Sequence, residues 1–230
     1  MEIESRVAVV TGAAAGTGRA IALALAAAGA DLVASDVDVE GGLQTVAEAD
    51  GRASFVGADM TIPGDVRRLI GSTKPQILVN TAGGGGHLSP HFPEASAEQW
   101  GATLDLNLRG PMLATQLALE HMRRAGAGAV VNVASTAGLG QEPYQSPEYA
   151  AAKAGLIRFT TALGGLQDVR VNCIVPDWIA TERLTEAERA TTPPPIPLAD
   201  VVAAVLELIR DDTLAGRAMA IWRGQAPRLL

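Results

Sequence analysis

The sequence predicts an α/β protein: one doubly wound, mainly parallel sheet of about seven strands with helices on both faces. Three observations carry that prediction. Short β-branched runs alternate with Ala- and Leu-rich stretches along most of the 230 residues. Such alternation means parallel strands joined by crossover helices. The first strand-like run passes through a glycine-rich turn directly into a helix-like stretch. Neither an internal repeat nor a composition break divides the chain, so residues 1–230 read as a single domain of ordinary size.

Taken in order, residues 7–10 (Val-Ala-Val-Val) open the sheet as an apolar run short enough to be a strand buried on both faces. Strands at 31–35, 54–56, 77–80, 129–133, 169–175 and 218–221 follow on the same reasoning. Between them, 18–28, 42–49, 65–71, 97–124, 148–163 and 198–210 have the composition or the spacing of helices. The breaker cluster Thr191-Thr192-Pro193-Pro194-Pro195-Ile196-Pro197 is short and reads as a stiff loop end rather than an interdomain linker.

Composition narrows the function classes. With 48% hydrophobic and 19% charged residues the chain resembles an ordinary folded enzyme rather than a disordered segment. A formal net charge of -7 argues against a nucleic-acid or anionic-membrane partner, though helix N-termini still hold phosphate without net positive charge. Cys173 is the only cysteine and lies in an apolar run, which predicts a buried, inert thiol. No basic-then-apolar leader precedes residue 7, and no apolar run approaches the ~20 residues of a membrane span. A cytoplasmic location is expected, and no metal cluster is read from the sequence.

Thr11-Gly12-Ala13-Ala14-Ala15-Gly16-Thr17-Gly18 links the first strand to the first helix as Gly-x-x-x-Gly-x-Gly. Glycines let the backbone turn tightly and approach a ligand, while the free N–H groups of the helix face an anion. Asp36 ends the second strand, where a carboxylate can accept hydrogen bonds from both hydroxyls of an adenosine ribose. Asp59, after the third strand, is placed to face the adenine amino group, although Asp is also common at strand ends.

Tyr149 and Lys153 lie four apart and therefore share one helix face. A phenol holds its proton too tightly for acid–base work near neutral pH, and an adjacent ammonium is expected to lower its pKa. Ser135, at the end of the fifth strand, offers a hydroxyl to orient a reacting oxygen.

Together with Asn80-Thr81-Ala82-Gly83, Asn107 within Leu106-Asn107-Leu108-Arg109-Gly110, and Val171-Asn172-Cys173-Ile174-Val175-Pro176 with Thr181, these blocks make the chain resemble the short-chain dehydrogenases/reductases. The resemblance runs from about residue 7 to 221 and implies a Rossmann fold and NAD-dependent hydride transfer between the cofactor and a secondary alcohol or ketone. It implies a Ser–Tyr–Lys–Asn relay: Tyr149 as acid/base, Ser135 on the substrate oxygen, Lys153 on the nicotinamide ribose, and Asn107 positioning a water. The cofactor-binding set it implies is Thr11, Gly12, Gly16, Thr17, Gly18, Asp36, Asp59, Met60, Asn80, Ala82, Gly83, Tyr149, Lys153, Pro176, Ile179 and Thr181. A homodimer or homotetramer is expected, with the helices at 97–124 and 148–163 packed across a two-fold axis.

Departures accompany the resemblance. Thirteen residues separate Ser135 from Tyr149, one more than is usual, which predicts a bulged loop. Asp177 stands where glycine is usual after Pro176, Trp222-Arg223-Gly224 replaces the usual Asp-Gly-Gly, and the link at 164–168 is short. Substrate contacts are expected from the loops at 83–92, 139–147 and 178–197. In these, His87 and His91 read first as loop histidines, and Tyr144 and Trp178 offer a flat wall to an apolar or ring-shaped substrate. Two rival readings stay open: a sugar-nucleotide epimerase or dehydratase, whose longer chains and different glycine spacing are not seen here, and a non-catalytic dinucleotide sensor, which would not need Ser135, Tyr149 and Lys153.

Overall fold

The computed structural model describes residues 1–49, 51–86, 89–140, 143–182 and 184–230. All seven expected strands form: β1 (Val7–Thr11), β2 (Asp31–Asp36), β3 (Ala53–Gly57), β4 (Ile77–Asn80), β5 (Gly128–Val133), β6 (Val169–Pro176) and β7 (Ala218–Ile221). An eighth, β8 (Arg228–Leu229), pairs antiparallel with β7 at the sheet edge; two exposed residues carry too little pattern to be foreseen. The sheet order is β3-β2-β1-β4-β5-β6-β7-β8, and every pairing except the last is parallel. The winding direction reverses between β1 and β4, so a crevice opens there at the carboxyl ends of the strands, where open α/β sheets bind ligands.

The crossovers are α1 (Gly16–Ala27), α2 (Val39–Glu48), α3 (Pro63–Thr73), α4 (Ala97–Leu104), α5 (Gly110–Ala125), α6 (Pro147–Ala162), a four-residue α7 (Glu186–Arg189) and α8 (Leu198–Arg210). The single helix expected at 97–124 is interrupted by a π-helical turn at Asp105–Arg109. Two constraints meet there. A side chain at Gly110 would crowd the Met60 carbonyl, and Asn107 is fully buried, with its amide turned inward to Gly84. Widened turns of this kind concentrate at functional sites.

Alternate residues of each strand feed opposite layers of core. Val10, Val79, Val131 and Ile174 pack with Ile21, Leu25, Val205 and Leu208 of α1 and α8. Val9, Leu78, Val130 and Val171 pack with Leu69, Ile70, Ala118 and Met122 of α3 and α5. Complete burial of each Leu or Ile contributes about 1.5–3 kcal/mol, so both faces hold the strand ends rigidly. Cys173 sits under α6 with Leu156 and Val175, and burial pushes its thiol up to about 12, as an inert core residue requires. Among the described residues, no helix is long and apolar enough to cross a membrane, and no group of acidic, His or Cys side chains is arranged to hold a metal.

Candidate active site

The carboxyl ends of β1, β2, β4, β5 and β6 open into one cavity of about 770 Å³. Its floor is the turn from β1 to α1. Gly12 has φ +66 and approaches the Ala82 backbone so closely that a Cβ would lie 2.8 Å from it; Gly16 has φ +55. Gly18 packs on the Gly12 carbonyl with no room for a side chain. The glycine at each of these positions therefore answers to the backbone rather than to composition. At the amino end of α1 the Gly16 N–H donates to Glu182 Oε1 at 2.7 Å. The free N–H groups of a helix amino end attract an anionic oxygen, which here is the Glu182 carboxylate. Thr17, Ala82, Pro176, Ile179 and Thr181 also line the cavity.

Two residues expected to touch a cofactor lie behind this wall instead. Thr11 is buried, and its hydroxyl accepts from the Thr81 and Ala82 N–H groups, 3.1 Å each, tying the end of β1 to the end of β4. Asn80 turns into the interior and donates to Asn132 Oδ1 (2.8 Å) and Thr115 Oγ1 (3.2 Å) between β5 and α5. The buried amide nitrogen is thus satisfied by β5 and α5, while Asn80 Oδ1 is buried without a partner among the described residues. Asp36 and Asp59 do reach the cavity, with Met60 beside the latter. Asp36 accepts one backbone N–H on each oxygen, from Ala14 (2.9 Å) and Asp38 (3.1 Å), which leaves lone pairs for two further donors. Asp59 Oδ1 accepts from the Thr61 N–H and hydroxyl.

At the other end of the cavity, Ser135 follows β5, and Tyr149 and Lys153 project from the first turns of α6. The Ser135 hydroxyl accepts from the Ala137 N–H (3.2 Å) and lies near enough to the Tyr149 phenol to favour its ionised form. The extra residue between Ser135 and Tyr149 is taken up without separating them; Gln141 and Glu142 of that loop lie outside the described residues. Lys153 is buried, donates to the Val133 carbonyl at 2.9 Å, and its ammonium lies 5.5 Å from the Tyr149 ring centroid. A Cβ on Gly83 would come within 2.8 Å of Asn107 Oδ1 and 3.2 Å of Lys153 Nζ, so this glycine is what lets the two approach.

Asn107 is tied by its side chain to the segment that follows β4. Its amide donates to the Gly84 and Thr103 carbonyls and accepts from the Gly84 N–H, so both N–H donors are engaged while Oδ1 keeps a second lone pair. It pins the loop beside Lys153 and acts as a positioning residue.

The electrostatics also correct the expectation for Tyr149. Burial pushes the phenol up to about 12, with Tyr144 adding to the rise and the neighbouring Ser135 hydroxyl opposing it. Burial also pushes the Lys153 ammonium down to about 8. Desolvation penalises both charged forms at once, and in the protein alone it outweighs their attraction. Tyr144, the other of the two tyrosines, is also raised, by burial and then by the charge of Asp177. Titrated without ligand, the folded protein is therefore expected to show no tyrosinate absorbance below about pH 10, whereas the denatured chain ionises near the ordinary value of ~10. Neutral phenols favour the fold fully below that value, and the contribution is lost as pH climbs through the raised folded pKa. One full tyrosine equivalent ionising below about pH 9 would contradict this.

The substrate side is formed by Gly86, Tyr144, Gln145, Asp177 and Trp178. Asp177 and Arg223, both departures from the family pattern, form a pair: Arg223 Nε donates to Asp177 Oδ2 at 3.0 Å. The adjacency follows from the pairing of β6 with β7, which sets Pro176 beside Ile221. His91 does not line the cavity; its Nδ1 lies 3.0 Å from Glu148 Oε1, which also accepts from Ser146 Oγ at 2.9 Å. Burial opposes ionisation of Glu148, but bonds from its own backbone N–H, His91, Ser146 and Phe92 outweigh it and hold the carboxyl below its usual range. The cluster ties the segment after residue 89 to the start of α6, one residue before Tyr149. His87 and Arg183 lie outside the described residues. The roles of Glu182, Arg223 and Glu148 escaped sequence reading, since nothing local marks their partners.

A family described as short chain dehydrogenase matches residues 6–192. Among curated proteins, the chain is 32% identical to 3-oxoacyl-[acyl-carrier-protein] reductase FabG of Thermotoga maritima, over 93% of this chain and 94% of that one. It is 37% identical to the L-fucose dehydrogenase of Bos taurus, over 83% of this chain and 72% of that one. Among solved structures, a short chain dehydrogenase/reductase family protein superposes with a TM-score of 0.88 at 29% identity, covering 97% of this chain and 98% of that one.

Proposed function

This chain belongs to the short-chain dehydrogenase/reductase family of oxidoreductases, and on that premise we propose that it is an NAD-dependent enzyme moving a hydride between the cofactor and a secondary alcohol or ketone. The observation that carries the reading is a single cavity with the glycine turn and Asp36 at one end and Ser135, Tyr149 and Lys153 at the other. A dinucleotide is the group such a cavity fits: the α1 terminus already accepts an anion, and Asp36 keeps free lone pairs. When bound, the oxidised cofactor supplies the hydride acceptor and a positive charge.

In the oxidative direction Ser135 donates to the substrate oxygen, and Tyr149 Oη takes the hydroxyl proton as the C–H bond breaks. Positive charge brought beside the buried phenol offsets the desolvation that holds its pKa high in the protein alone. Lys153, with one of its three donors on Val133, has two left for ribose hydroxyls. Asn107 keeps the Gly83–Gly84 backbone clear of that ammonium. A single domain spanning 1–230 performs both binding and chemistry in the cytoplasm. The groove lined by Leu104, Leu108, Met112, Leu113 and Phe159 along α4, α5 and α6 is where a second copy packs in a homodimer or homotetramer.

The direct experiment is NADH formation or consumption with a panel of secondary alcohols and ketones. Turnover of at least one member is expected. Cofactor binding without turnover of any member would favour a dinucleotide sensor and sink the reading.

A further inference from the structure

We propose that Asp177, Trp178, Tyr144 and Gln145 form a subsite for a neutral, ring-shaped polyhydroxylated substrate, and that Asp177 determines this specificity. The inference rests on the dehydrogenase reading and adds the substrate class.

Asp177 lines the cavity beyond the reacting end, close enough to Tyr144 for its charge to act on that phenol. Its Oδ2 is held by Arg223, and Oδ1 has no protein partner among the described residues. Arg223 also sits 5.7 Å from the Trp178 ring centre and reaches the Pro193 carbonyl at 3.3 Å, which fixes the carboxylate and the indole as one wall. Trp178 and Tyr144 remain 43% and 42% exposed although Arg223 lies over one ring and Tyr149 stacks on the other, so each still presents a flat apolar surface. Gln145 donates to the Gly86 carbonyl, and its amide oxygen has no partner among the described residues.

Each substrate class meets this wall differently. A carboxylate or phosphorylated acyl carrier meets Asp177 as a like charge, while Arg223 is already committed and Lys153 is the only cation among the described lining residues. An alkyl chain would desolvate the free Asp177 oxygen without replacing its hydrogen bond, the loss by which polar sites reject apolar analogues. An ammonium meets the cations Arg223 and Lys153 beside this wall as like charges. A hydroxyl donates to a charged acceptor, the stronger kind of hydrogen bond, without bringing a charge of its own. A pyranose or cyclitol adds C–H faces that cover the Trp178 and Tyr144 rings.

The test measures kcat/KM with NAD for aldopyranoses and cyclitols, their uronic acids, cyclohexanol, 2-aminocyclohexanol and a 3-hydroxyacyl thioester. At least one neutral polyol is expected to exceed cyclohexanol by about tenfold or more, and the uronic acids to fall below their parent sugars. In Asp177→Ala the ratio of polyol to cyclohexanol efficiency falls by about 10- to 100-fold, the range of a lost bond to a charged group. Asp177→Asn keeps the contact to Arg223 and protects the test against misfolding; there the ratio falls only about fivefold and uronic acids gain on their parents. A best substrate that is a thioester, uronate, amine or simple alcohol overturns the proposal and leaves the dehydrogenase reading standing. An unchanged ratio in both variants overturns the role of Asp177. Turnover of nothing in the panel overturns the dehydrogenase reading, and this proposal with it.

Discussion

Tyr149→Phe is expected to lower turnover by about 10²- to 10⁴-fold, the usual range for a positioned acid–base group, and to leave NAD affinity within a few fold. The ring is retained, so its packing against Tyr144 at 6.3 Å and the path of α6 are preserved. What disappears is the phenol oxygen that exchanges a proton with the reacting hydroxyl. Ser135 keeps the Ala137 N–H, so the local fold holds. Thermal stability should therefore change little, and the loss should appear in kcat rather than in cofactor binding. Steady-state kinetics with a fluorescence titration of NAD separates the two. Turnover near the native level would remove Tyr149 from the chemistry.

NAD is expected to be preferred over NADP by roughly 30- to 1000-fold in kcat/KM, or on the order of 2–4 kcal/mol. A ribose 2′-phosphate brought to Asp36 loses a hydroxyl-to-carboxylate bond and meets a like charge at short range. Neither arginine near this end is free to compensate. Arg19 bonds Thr45 Oγ1 (3.0 Å) and the Gly41 carbonyl (3.2 Å), locking α1 to α2, and Arg52 is paired with Asp31. Val37 beside Asp36 is 66% exposed and lines the cavity, so a longer side chain fits there without repacking. The double variant Asp36→Ala/Val37→Arg should narrow or reverse the preference. Some NAD efficiency will be lost in it, because Asp36 also accepts the Ala14 N–H that shapes the glycine turn. Equal efficiency with both cofactors in the native protein would mean that Asp36 does not face the ribose.

The sequence by itself determined what depends on near neighbours. Strand runs such as 77–80 and 129–133 could be read because burial on both faces leaves an unbroken apolar pattern in a few residues. The turn from Thr11 to Gly18 and the Tyr149–Lys153 spacing are local in the same way: backbone sterics and helix geometry act over one or two turns. The extra bulge at Asp105–Arg109 was not legible, since it answers to Met60 and Gly84, which lie on other elements.

Only the tertiary structure decided which side of the sheet a side chain serves and what field it feels. Asn80 and Thr11 belong to the right segments yet face structural partners, because the register of β4 against β1 and β5 directs them. Glu182 reaches Gly16 across 166 residues, and Arg223 reaches Asp177 across 46, distances at which sequence carries no pairing signal. The pKa directions of Tyr149 and Lys153 come from the same source. Spacing shows that a phenol and an ammonium are neighbours, but how far each is removed from water depends on every segment folded over them, and here that burial outweighs their attraction.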